Sequence, residues 1–172
     1  MTRGLTRAIR IATGALILAG WPAGVWAEFW RADSETAMAI AGDATFGPGS
    51  IVFRNKQSPP LAGAGAIHDF AAEDGTVEAA LFRVAAPSDP ILSHGNRLCG
   101  GPHAPVPVAF IVVWRPAPIG GDVSPRSMAV FSGPGRPTGE AGPGFRGSFG
   151  YEAGGHRRNT ANVPNWRHNR TR

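Results

Sequence analysis

Residues 108–114, VAFIVVW, form an unbroken run of apolar, β-branched and aromatic side chains, with Pro105 and Pro107 before it and Pro116 after it. Seven residues are too few for a solitary helix, and the prolines forbid a helical extension, so the run predicts a strand. A strand with one face in water alternates polar and apolar residues. This one does not, and it is expected to be buried on both faces. Each proline lacks an N–H, so ladder pairing is expected to begin only after Pro107. The other strands are expected to assemble around this one.

The rest of the chain is punctuated by Gly and Pro, which together supply 40 of its 172 residues. They separate short apolar runs rather than repeat, the pattern of an all-β domain with turn-rich connections. Strands are expected at 44–46, 50–54, 76–84, 127–132 and 145–151. Residues 34–41, SETAMAIA, are ambiguous: the alanines favour helix, but Thr36, Met38 and Ile40 alternate and Gly42-Asp43 follows at once, so a strand is expected. Residues 61–67, LAGAGAI, carry almost no side chain and would make a weak strand alone. Long loops are expected at 85–97, 117–125 and 133–144. The fold class is therefore all-β: a small single-domain barrel or sandwich of short strands with long Gly/Pro-rich loops.

The first 27 residues read as a cleavable signal peptide. Arg3, Arg7 and Arg10 precede the apolar residues 11–20, and Val25-Trp26-Ala27 ends in a small-residue cleavage site. An apolar segment of about ten residues is half of what a membrane span needs. The expected product is periplasmic or secreted, with a single β-rich domain at 28–153 and a disordered basic tail at 154–172. That tail lacks periodicity and has few large apolar residues. The ends also account for the basic pI. Of 17 Lys and Arg, three lie in the signal and five beyond Ala153, leaving nine against all twelve Asp and Glu in residues 28–153. The domain is mildly acidic, which excludes a basic groove for nucleic acid.

Cys99 is the only cysteine, and His94 and His103 flank it. The spacing H-x4-C-x3-H supplies one thiolate and two imidazoles, a set that copper or zinc accepts, so His94, Cys99 and His103 are candidate metal ligands. The same groups offer a nucleophile with neighbouring bases, but no hydrolase, phosphate-loop or metalloprotease motif accompanies them. Glu73, Asp74 and Glu78 surround a turn and are expected at a solvated edge. No catalytic residue and no cofactor is assigned.

The segments SETAMAIAGD, HGNRLCGG, VVWRP, SMAVFSG and GPGFRGSFGYEA together resemble a group of small exported proteins from Gram-negative bacteria, chiefly alphaproteobacteria, with no assigned activity. The resemblance covers residues 30–153. It implies a second cysteine in the glycine-rich segment, where this chain has Arg146, so that Cys99 has lost a disulfide partner. Such a bridge would set the strand at 145–151 beside that at 108–114. The tail after Ala153 departs from the pattern. The expected function is that of a monomeric periplasmic binding or interaction module without catalysis, its partner an envelope protein or a small ligand, with no nucleic acid and no integral membrane segment after cleavage. The alternative is a metal-binding protein or enzyme using His94, Cys99 and His103.

Overall fold

The structure, a computed structural model, describes residues 27–154 apart from 48 and 119–123. The expected signal segment, save Ala27, and the expected disordered tail, save Gly154, lie outside the described residues. Among the described residues eight strands are formed: β1 (Glu28–Ala32), β2 (Ala44–Gly47), β3 (Ser50–Phe53), β4 (Leu61–Ala72), β5 (Gly75–Ser88), β6 (Val108–Trp114), β7 (Pro125–Ser132) and β8 (Phe145–Ala153). They make one antiparallel sheet in the order β3-β2-β1-β8-β7-β6-β5-β4. The chain leading into β4 nearly closes this sheet into a barrel. Phe53 N–H donates to the Gln57 carbonyl at 2.9 Å and Leu61 N–H to that of Gly49 at 3.0 Å, while Ala85 N–H reaches Pro60 at 3.0 Å.

Of the two architectures expected, the barrel is the one formed. Every strand sends side chains into its interior, where Trp30, Phe53, Ile111, Met128, Phe149 and Tyr151 are buried. Trp30 stacks on Phe46 with ring centres 3.8 Å apart. Trp30 belongs to β1 and lies in the core itself, whereas its neighbour Phe29 is half exposed.

A second apolar layer lies on the outer face of β5–β8. Phe70, Leu81, Val112, Trp114, Ala129 and Phe131 are buried there together. The long β4–β5 hairpin curls over that face, and the loop 133–144 runs along its edge. Ala71 N–H donates to the Thr138 carbonyl, Glu140 N–H donates to the Ala71 carbonyl, and Ala71 and Gly139 form a parallel bridge. A Cβ at Gly139 would stand 2.7 Å from Ala71, so only glycine allows this approach. β6 is thus a wall between two cores: Ile111 and Val113 face one, Val112 and Trp114 the other. This is why its sequence is apolar without alternation.

Three expectations are corrected. Residues 34–41 do not form a strand. A helical turn, α1 (Ala37–Ala41), occupies them, closed by Gly42 N–H on the Ala37 carbonyl at 2.7 Å. Ser34 decides the matter: its hydroxyl accepts from Ala37 N–H at 3.1 Å and also from Gly150 N–H on β8 at 2.9 Å. Residues 85–88, expected to open a long loop, instead extend β5 to Ser88, while residues 61–67, weak alone, form the first part of a twelve-residue strand paired with β5. And β8 does not lie beside β6, because β7 pairs with both. Among the described residues no helix is long and apolar enough to cross a membrane.

Candidate functional site

The connection from β5 to β6, residues 89–107, is built around Asp89. Its carboxylate is buried and accepts three backbone N–H groups: Cys99 at 2.9 Å, Gly100 at 2.8 Å and Val106 at 3.0 Å. Arg97 donates to the Asp89 carbonyl at 2.7 Å. A carboxylate satisfied by several N–H groups is a strong anchor for an irregular loop. Gly100 is required, since a Cβ there would overlap the Ala104 carbonyl oxygen and crowd Asp89.

The three candidate metal ligands all sit on this loop but do not converge. His94 is exposed in a single tight turn, Ser93–Gly95, and has a positive φ of 57°. His103 is exposed in the next turn. Cys99 is half-buried against the interior core. Among the described residues no three His, Cys, Asp or Glu side chains are grouped to hold a metal ion. Nor is Cys99 an activated thiol. Burial first, and then the negative charge of Asp89, push its pKa up to about 12, against a smaller opposing pull from Arg146. A thiol held so high supplies almost no thiolate at neutral pH. The carboxylates Glu73, Asp74 and Glu78 are exposed, as the sequence suggested.

Beside this loop the ladder opens. Arg83 pairs with Phe110 and Ser88 with Val108, so between these pairs β5 advances five residues while β6 advances two. A second shift, between Val108 and Phe110, interrupts β6 against β7. Pro87 and Pro107 stand at these bulges, where neither can donate to a ladder. The result is an open groove of about 750 Å³ on the outer face, lined by Arg83, Pro87, Val106, Pro107, Ala109, Phe110, Ser132, Gly133 and Pro134. Its floor continues into the outer apolar layer through Phe110.

Among the described residues Arg83 is the only charged side chain of the lining. Strand alternation places it on the same outward face as Leu81. It is exposed, and no other described residue pairs with it by hydrogen bond or ion pair. On the far wall the Ser132 hydroxyl accepts from Arg146 Nε at 2.7 Å, which brings a second cation close.

Nothing in the sequence singles out Arg83, one arginine among eight in residues 28–153. Asp89 had a weak signal, since an Asp-Pro dipeptide favours the start of a turn. No family model, curated protein or solved structure matches the chain.

Proposed function

We propose that this chain is an exported binding module of the bacterial envelope that works as a monomer, without catalysis, and takes a small apolar ligand in the outer groove. The groove carries this reading. It is concave, walled by apolar side chains, holds a single charged group and has a volume within the range typical of small-molecule sites, about 300–1,000 Å³. The barrel interior, by contrast, is packed with side chains. Export rests on the basic, apolar and small-residue pattern of residues 1–27. The raised pKa of Cys99 counts against nucleophilic chemistry on the loop.

The test uses a neutral apolar dye, N-phenyl-1-naphthylamine. Saturable binding at one site is expected, lost in Ala109→Trp and in Pro134→Trp, which fill the groove from its two walls. Equal melting temperatures would show that both variants fold. Undiminished binding in both would remove the groove from consideration. Stoichiometric copper or zinc in the purified protein would instead favour a metal carrier using His94, Cys99 and His103. Recovery of the protein in the periplasmic fraction with Glu28 as its first residue checks the export step.

A further inference from the structure

Resting on that reading, we infer that the groove takes a single-chain amphiphile with an anionic head, and that Arg83 holds the head while Phe110 and Ala109 lie under the chain. Four observations converge. Among the described residues the groove lining has one charged side chain, a guanidinium, and no carboxylate. That guanidinium has no partner among the described residues, so its donors are available to a ligand. The nearest loop carboxylate, Asp89, is turned inward and occupied by three backbone N–H groups. On the opposite wall Ser132 holds a second arginine, Arg146.

The domain as a whole is mildly acidic, with nine basic against twelve acidic residues, yet the charged side chain in the lining of this apolar site is a cation. A planar guanidinium offers a fork of donors that matches a carboxylate or phosphate. In the ladder Arg83 stands opposite Phe110, so a head held by the guanidinium starts its chain directly over the aromatic floor. A site of about 750 Å³ suits one drug-sized molecule rather than a bilayer surface.

Titration calorimetry on the exported protein, below the micelle concentration of each compound, tests this with a common twelve-carbon chain and different heads: dodecanoate, dodecyl phosphate, dodecanol and dodecyltrimethylammonium. The two anions are expected to bind at least about ten-fold more tightly than the alcohol or the cation, and the tighter of the two assigns carboxylate or phosphate as the head. Arg83→Gln should weaken the anions by roughly 10- to 100-fold, the range for hydrogen bonds to a charged group, and leave dodecanol unchanged. Arg83→Glu should invert the preference towards the cation. Arg83 is exposed, so both variants should melt as the parent does. Equal binding of dodecanol and dodecanoate, or an anion preference that survives Arg83→Gln, overturns the head assignment and leaves the groove reading intact. Failure of every chain compound to bind overturns the amphiphile; if Ala109→Trp and Pro134→Trp also both leave dye binding unchanged, the groove reading falls with it. An apolar peptide that outcompetes all four compounds also overturns it.

Discussion

The ring of Phe70 on β4 lies 5.2 Å from that of Trp114 on β6 and 6.3 Å from that of Phe131 on β7, centre to centre, although β5 separates β4 from β6 in the sheet. Such contacts are possible only because the β4–β5 hairpin curls over the outer face. Phe70 is therefore the residue that closes the second core.

Phe70→Ala should cost about 3–5 kcal/mol, through lost transfer energy and the cavity left behind. Against a total of about 5–15 kcal/mol that is a large share. Urea denaturation measures it. An unchanged midpoint would mean that the hairpin does not cover the face in solution.

On the inner side of the wall, Ile111→Ala should cost about 2–5 kcal/mol, since Ile111 is fully buried in the barrel. The same denaturation series measures it, and a well-folded variant with the parent's midpoint would contradict the packing of the interior.

Asp89→Asn should loosen the β5–β6 loop at a cost on the order of 2 kcal/mol, because it removes a charged acceptor from three N–H groups. Gly100→Ala should act alike by crowding the same carboxylate. Amide hydrogen exchange reports this directly: the protection of Cys99, Gly100 and Val106 should fall together in both variants. Loss at one amide only would show that Asp89 does not organise the loop.

Cys99 makes stability fall in alkaline solution. The unfolded thiol ionises near its ordinary value of 9.0, while the folded one holds its proton to about 12. The unfolded state therefore gains ionisation first, and stability declines as pH rises from 9 towards 12. Cys99→Ala should flatten that decline. Alkylation by iodoacetamide at pH 8 should be slow in the native protein and fast in denaturant; equal rates would refute the burial of the thiol.

At the acid end one contributing pair is Glu28 and Arg126, whose oxygen and nitrogen lie 2.6 Å apart. Burial on its own raises the Glu28 pKa, but the hydrogen bond from Arg126 and the charges of Arg126 and Arg115 outweigh it, so the net shift is downward. A carboxyl with a depressed folded pKa contributes stability above its unfolded value and loses it as pH falls through the folded one. Because Glu28 is partly exposed, the contribution is screened to about 1 kcal/mol or less. Glu28→Gln should reduce the stability difference between neutral and acid pH. An unaltered acid limb in thermal melts would assign that limb to other carboxylates.

Local chemistry made much of the fold legible. Apolar content with flanking prolines marked β6 residue for residue, and unalternated burial on both faces followed from its composition. The Gly/Pro-rich stretch 133–144 and the turn at Glu73 and Asp74 were readable because backbone restriction is a property of neighbouring residues. Where the outcome depended on distant partners, the sequence was silent or misleading. SETAMAIA alternates as a strand does, yet Ser34 is held by Gly150, 116 residues away, and caps a helical turn instead. LAGAGAI is weak alone and stable only beside β5.

The candidate site shows the same division. His94, Cys99 and His103 are close in the sequence, but the Asp89 anchor turns the loop so that both imidazoles face solvent and the thiol faces the core. Arg83 and Pro134 are 51 positions apart and meet across one groove, because two register shifts part the ladder between β5, β6 and β7. The sequence by itself determined β6 and most of the other strand segments, since those depend on side-chain apolarity and backbone freedom over a few residues. Only the tertiary structure decided which strands are neighbours, where the ladder opens and that Arg83 lines the opening. Those are consequences of pairing register and sheet curl, which are set by contacts between residues far apart in the chain.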